Sequence, residues 1–446
     1  MNKPLDWAEY LNQIPGTFVS AGVETIQVFP LDGRVKNLVL IVSEHHPWVT
    51  SWRNLGIRVF CLEEQSGAPE NNTAKLLLNS QTTAFMKTLD QPVSILMFKP
   101  DAESAQKLRQ LGFNVIGCDP AAARRLENKL LFPAIARQAC VQIPSTKKLL
   151  LDSENTLIRK PPLSPFPFIC QFAKGFSGNR TFLVTSTEDW AALLKRFPNR
   201  YCRVSQKIEG DTWTVNACVF KDGFTLVSHP FLQETITIES TDGLPKRIGS
   251  AGNHWGEFSS EVARQTQGIA HKTGSVLHQK GFFGFWGMDI ILEKDTGLFY
   301  AIEINPRITA STPVLTPMEM SGDAPPLIAA HLSTSMDLNW PWRNAPAAPN
   351  PGGQRIYRPG GLAIPRKLEK CDTGIYRFTG NNVKFLRPGW NPGNLENGEC
   401  LLWKPQSTQY ASESMRVVYR GSLASLPSLL PSTNSAEPPS SGYIAE

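Results

Sequence analysis

Hydrophobic positions in the first 120 residues fall into short runs of strand length, separated by stretches with helical spacing. Residues 37–43 (NLVLIVS), 57–62 (IRVFCL), 94–98 (SILMF) and 113–117 (FNVIG) are continuous and rich in β-branched or aromatic residues, as strands covered on both faces are. Between them, 72–89 and 102–111 repeat apolar residues at helical intervals. Strands alternating with helices predict an open parallel α/β sheet. No Gly-x-Gly-x-x-Gly follows any of these runs, so this Rossmann-like unit has no dinucleotide fingerprint and reads as a packing or substrate-side domain.

The pattern then changes. Residues 119–139 predict a helix capped by Asp119, with Pro120 in its first turn and Leu126, Leu130 and Ile135 along one side. Residues 144–223 are β-rich, and 259–278 predict a further helix. The Pro-rich stretch 341–353 (PWRNAPAAPNPGG) reads as a linker. Short strands broken by Gly and Pro follow over 361–420, as in a small β domain. Residues 421–446 contain seven Ser and four Pro, a composition that predicts a disordered tail.

The chemistry concentrates in 281–311 (GFFGFWGMDIILEKDTGLFYAIEINPRITAS). Two strand-like runs, 287–293 and 299–305, flank an Asp-Thr-Gly turn. With Glu293 opposite Phe299, Leu292 meets Tyr300, Ile290 meets Ile302 and Asp289 meets Glu303. One face is then apolar, and the other carries Asp289, Glu303 and Asn305. Facing carboxylates repel unless a cation lies between them. Hard oxygen donors suit Mg²⁺, which takes one or two carboxylates together with phosphate oxygens. Arg307, beyond Pro306, adds a fixed cation. Metal, arginine and oxygen-rich face together suit phosphoryl transfer. The same residues also fit a solvent-facing strand pair with scattered acids, and the pattern alone leaves both readings open.

A second segment, 168–184 (FICQFAKGFSGNRTFLV), has two β-like arms around Lys174, Gly175, Ser177, Gly178, Asn179 and Arg180. Its glycines permit close backbone approach to an anion, as in a phosphate lid; a solvated hairpin tip looks the same. Residues 201–219 read as strand, Gly-Asp turn, strand, able to line an adenine pocket with backbone.

Composition narrows the class. The 446 residues suffice for two to four domains at about 100–200 residues each. With 45 basic and 39 acidic residues, the net charge of +6 is too mild and too dispersed to argue for nucleic acid. Eight scattered cysteines without a CxxC pair read as reduced thiols of a cytoplasmic protein. No secretory signal is visible at the start, and no apolar run approaches the ~20 residues a bilayer requires. Gly-x-Ser-x-Gly and HExxH are both missing, which leaves hydrolase readings without support.

In this order the motifs resemble the ATP-grasp superfamily, over about residues 35–335. They are Asn128-Lys129, the Gly-rich segment 174–181, Ile208-Glu209-Gly210-Asp211, and Asp289 with Ala301-Ile302-Glu303-Ile304-Asn305-Pro306-Arg307. The β unit after the linker is similar to the arrangement in the biotin carboxylase-like branch. The resemblance implies a mixed α/β and α+β architecture: a Rossmann-like domain at 1–120 and an ATP-grasp domain at 121–340. Within the latter, two α+β lobes grip ATP, with a lid at about 144–205. The linker 341–353, a small C-terminal β domain at 354–420 and the tail complete the chain. Asp289, Glu303 and Asn305 would hold Mg²⁺ (or Mn²⁺), and Arg307 with Asn305 would act on the transferred phosphoryl group. Lys129, Gln171, Lys174, Gly175, Ser177, Gly178, Gln206, Lys207, Ile208 and Asp211 would bind the nucleotide.

Two departures stand out. The lid strand, which usually directs a lysine at the phosphates, reads Cys170-Gln171, with Lys174 four residues from Cys170 as a substitute. The hinge, commonly acidic, reads Ser205-Gln206-Lys207.

The implied reaction joins a small-molecule carboxylate, activated as an acyl phosphate with release of ADP, to an amine such as an amino acid. A homodimer is an allowed assembly. Alternatives are a bicarbonate-activating carboxylase, which would need a separate carrier because no Met-Lys-Met attachment site is present, and a nucleotide-binding homologue without turnover. Arg247, Asn253 and His254, with Thr309 and Ser311, are candidates to touch the acceptor; for His254 a structural role is the stronger reading. Trp255, Phe283 and Trp286 read as core.

Overall fold

The computed structural model describes residues 6–421, apart from 153–159, 164, 176–179, 241–242, 257, 321–323, 347, 380–381 and 408–411. The predicted tail 422–446 lies outside the described residues, as do the lid positions Ser177 and Gly178.

The N-terminal unit is a five-stranded parallel sheet. Its strands are β1 (Thr17–Gly22), β2 (Leu38–Val42), β3 (Arg58–Cys61), β4 (Val93–Met97) and β5 (Asn114–Val115), in the order β3-β2-β1-β4-β5. The hydrophobic pattern found four of these and missed β1, the central one. Four of the six residues of its sequence, TFVSAG, are small or polar, yet all six are buried. Burial is tolerated because Thr17 donates to the Asp90 carbonyl and Ser20 accepts from the Phe29 amide.

The helix predicted at 119–139 is two helices, Pro120–Leu126 and Phe132–Gln138. Asp119 caps the first as expected, accepting from the Ala121 amide. The break between them holds Lys129, which lines the cleft described below, and Glu127, which pairs with Arg307 of that cleft.

All other strands belong to one large branched sheet. Strands β6 (Thr146–Leu151), β7 (Phe168–Phe172), β8 (Thr181–Val184) and β9 (Arg200–Gln206) form one lobe in the order β6-β9-β7-β8. Their alternation is strict. Cys170, Phe172, Phe182, Val184, Cys202 and Val204 enter the lobe core around Trp190, which leaves Ile169, Gln171, Leu183, Arg203 and Ser205 for the cleft side.

The second lobe runs β15-β14-β10-β12-β13, with β10 at Gly210–Val219, β12 at Phe231–Ile238, β13 at Arg247–Trp255, β14 at Gly284–Glu293 and β15 at Phe299–Asn305; β11 (Thr225–Val227) pairs with β10. Helix Ser260–Gln279 packs on its back through Ile269, Ala270, Val276 and Leu277. The segment read as strand-turn-strand over 201–219 is not a hairpin. β9 bonds to β6 and β7, whereas β10 bonds to β11, β12 and β14, so 207–209 form a crossing between lobes. Gly210 is required there, because a Cβ would lie 1.9 Å from the Leu292 carbonyl oxygen.

β16 (Gly352–Tyr357) begins inside the Pro-rich stretch and pairs antiparallel with β13. β17 (Gly374–Thr379), β18 (Asn382–Arg387), β19 (Glu399–Trp403) and β20 (Met415–Arg420) follow in the order β16-β20-β19-β17-β18. These strands thus extend the second lobe's sheet. A shared core joins Trp48 and Trp52 of the N-terminal unit to Ile375, Leu401 and Trp403.

Candidate functional site

The two lobes face one another across a cleft of about 830 Å³, which Ile356 and Arg358 at the end of β16 also line. At its centre Asp289 and Glu303 are direct cross-strand partners on β14 and β15. The register differs from the predicted one further out. Leu292 pairs with Phe299, Ile291 with Tyr300 and Ile290 with Ala301, and a bulge between Asp289 and Ile290 leaves Ile302 as the extra residue. Ala301, small and fully buried, takes the core place predicted for Ile302. Ile302 instead lines the cleft beside Glu303. Bulges recur next to functional sites because they re-aim side chains in this way.

Each carboxylate has its own surroundings. Asp289 is buried and accepts from the Thr214 hydroxyl (2.7 Å) and the Asn305 amide (3.4 Å). Burial, then the charge of Glu303, pushes its carboxyl up to about 7. For Glu303 burial acts in the same direction, but the Lys129 ammonium at 2.5 Å overrides it and holds the carboxyl below its ordinary value. Lys129 sits in the break between the two short helices, and its own amide donates to the Ala173 carbonyl. Arg307 donates to Glu127 (2.8 Å) and to the Asn305 side-chain oxygen (3.1 Å). Glu127 also pairs with Lys99 at 3.1 Å.

The donor set fits a hard divalent cation. Two carboxylates face each other on adjacent strands, an amide oxygen lies at the same end, and no thiol lines the cleft among the described residues. Asp289, Glu303 and Asn305 would hold such an ion.

The remaining candidates separate clearly. Gln171, Gln206, Lys207, Ile208 and Asp211 line the cleft together with Lys129, Asp289, Glu303, Asn305 and Arg307. Lys207 forms an ion pair with Glu209, and burial raises Asp211 against the opposing charge of Lys294. Lys174 is exposed, and neither it nor Gly175 lines the cleft.

Of the acceptor candidates, Asn253, Thr309 and Ser311 line the cleft and Arg247 does not. Asn253 accepts from Gln354, while the Thr309 hydroxyl donates to the Asn216 side-chain oxygen. His254 is buried away from the cleft, hydrogen-bonded to the Tyr419 hydroxyl and 3.8 Å from Glu234. Burial takes it down to about 4, so it is a neutral packing group. Trp255 and Trp286 are core, as read from the sequence.

Sequence reasoning missed Glu127, Thr214, Arg203 and Arg358. Arg203 was the most accessible of these, because alternation in YCRVSQ already places it opposite Cys202 and Val204.

Comparison with known proteins bears on the same region. Residues 126–311 match the family model described as an ATP-grasp domain. A search of curated proteins found no match. Among solved structures, N5-carboxyaminoimidazole synthase from Aspergillus clavatus, in complex with ADP and 5-aminoimidazole ribonucleotide, aligns over 92% of this chain and 95% of its own. The TM-score is 0.56 at 12% identity. Biotin carboxylase from Campylobacter jejuni aligns over 91% and 87%, with TM-score 0.61 at 12% identity. The biotin carboxylase domain of Hydrogenobacter thermophilus 2-oxoglutarate carboxylase, in complex with MgADP, ADP and bicarbonate, aligns over 92% and 87%, with TM-score 0.58 at 12% identity. The chain therefore has the ATP-grasp fold, and its residues 126–311 constitute an ATP-grasp domain.

Proposed function

We propose that this protein is an ATP-dependent ligase that activates a small-molecule carboxylate as an acyl phosphate and passes the acyl group to an amine. The observation that carries the reading is the Asp289–Glu303 pair, set in an interlobe cleft and framed by Lys129 and Arg307. Mg²⁺ held by Asp289, Glu303 and Asn305 would neutralise phosphate charge. In the first step a substrate carboxylate oxygen bonds to the γ-phosphorus as the bond to ADP breaks. In the second the amine nitrogen bonds to the acyl carbon and phosphate leaves. Such chemistry needs in-line positioning and charge neutralisation more than an enzyme nucleophile. Arg307, fixed by Glu127 and Asn305, presents a cation at the edge of the carboxylate pair. Lys129 holds Glu303 ionised.

A bicarbonate substrate is the second reading. It draws on the solved structures bound to bicarbonate and to 5-aminoimidazole ribonucleotide, and on Ile356 and Arg358 of the C-terminal region, which line the cleft.

The test is a screen of phosphate release over small acids with amines, with a bicarbonate arm and Glu303→Gln as the blank. Release of ADP and phosphate that needs both an acid and an amine, and falls at least 100-fold in the variant, supports the ligase. Bicarbonate-dependent release without another acid supports the second reading. Release of AMP and pyrophosphate would sink both.

A further inference from the structure

The sequence departs from the ATP-grasp pattern at Gln171, where the lid strand carries no lysine, and tertiary structure places a different cation at that point. Gln171 on β7 and Arg203 on β9 are cross-strand partners. Both point to the cleft side of the lobe, because their neighbours Cys170, Phe172, Cys202 and Val204 fill its core. Arg203 is 5% exposed, and its guanidinium lies over the Phe132 ring. One terminal nitrogen donates to the Gln171 side-chain oxygen and, at 2.9 Å, to the Ile302 carbonyl at the hairpin bulge. Its Nε is buried and makes no hydrogen bond among the described residues.

Charge makes the arrangement incomplete. A buried guanidinium is costly without a counter-charge. The carboxylate facing Arg203 is Glu303, which is already paired with Lys129 at 2.5 Å. Arg307 is likewise matched to Glu127. Lys129 and Arg307 are thus each engaged with a carboxylate, and the third carboxylate, Asp289, is hydrogen-bonded to Thr214 and Asn305. Arg203, on the lid lobe, forms no ion pair of its own among the described residues and keeps an unused donor. A planar guanidinium with an unpaired N–H on the cleft side suits a phosphate oxygen.

We infer that Arg203 is a nucleotide-binding residue that contacts the polyphosphate of ATP from the lid lobe, and that Gln171 positions it by accepting from its guanidinium. This rests on the ATP-binding reading of the cleft. It assigns to β9 a cation that the motif on β7 lacks. Lys174 is not required for the role.

The test is calorimetry of the full chain with ATP, ADP and AMP in the presence of Mg²⁺, comparing wild type with Arg203→Met, Arg203→Lys and Arg203→Met/Gln171→Lys. Thermal melting of each ligand-free variant serves as the fold check. In Arg203→Met, ATP and ADP affinity should fall at least 10-fold while AMP affinity changes less than 3-fold. Moving the cation one strand over, in the double variant, should recover most of the ATP affinity. Arg203→Lys should fall between wild type and Arg203→Met, because an ammonium keeps the charge and loses the fork. Equal losses for ATP and AMP would make Arg203 a packing residue and overturn the inference, as would unchanged ATP affinity in Arg203→Met. Failure of wild type itself to bind any of the three nucleotides would instead sink the ATP-binding reading.

Discussion

Removal of the Lys129 ammonium tests the electrostatics of the cleft without any knowledge of the substrate. In Lys129→Met the aliphatic stem is kept and the charge is lost. Glu303 then stays on its strand, opposite Asp289, without its partner at 2.5 Å. Stripping one member from a fully buried ion pair costs about 3–5 kcal/mol. Here the Glu303 side chain is 20% exposed and the charge of Arg203 also acts on it, so the expected loss is lower, about 2 kcal/mol. Glu303→Gln alone leaves Lys129 buried and unpaired, with a cost of similar sign. The double variant leaves neither charge, so it should be more stable than the sum of the two losses predicts, by about 2 kcal/mol of coupling. Urea unfolding of all four proteins at pH 8, without nucleotide or divalent ions, measures this directly. Losses that add to within about 0.5 kcal/mol would show that the pair is not coupled in the folded protein, and the account of Lys129 as the partner that keeps Glu303 charged would fail.

Two further outcomes follow from positions around the cleft. Gly210→Ala drives a Cβ to within 1.9 Å of the Leu292 carbonyl oxygen, a backbone contact that cannot yield without moving β10 from β14. A loss of about 3 kcal/mol is expected in chemical denaturation, and a loss below about 0.5 kcal/mol would contradict the tight crossing between lobes. His331 is buried, its Nδ1 accepts from the Phe285 amide at 3.1 Å, and burial lowers it from 6.5 to about 4. The unfolded chain takes up this proton first, so the contribution to stability is full above pH 6.5 and is lost as pH falls towards 4. Between pH 7.5 and 4.5 wild type should lose about 2.5 kcal/mol more than His331→Gln; parallel pH profiles would exclude the buried neutral imidazole.

Much of the architecture was legible in hydrophobic spacing, and its failures have specific causes. β1 escaped because Thr17, Ser20 and Gly22 dilute its apolar content, although hydrogen bonds to Asp90 and Phe29 let the strand lie fully buried. The helix over 119–139 breaks at Glu127–Leu131, where Glu127 and Lys129 serve Arg307 and Glu303 in place of helical regularity. His254, a candidate acceptor residue, instead packs against Tyr419 from a strand about 165 residues away.

What the order of residues determined by itself was the meeting of Asp289 with Glu303, since alternation over a short hairpin leaves few registers that bury one face. The bulge at Ile302 was beyond its reach, because only packing against the second lobe's core selects Ala301 over Ile302 for the inward place. The same holds for Arg203 and Gln171. Thirty-two residues apart, they become neighbours through the pairing of β7 with β9, and no local pattern encodes which two strands of a lobe will lie side by side.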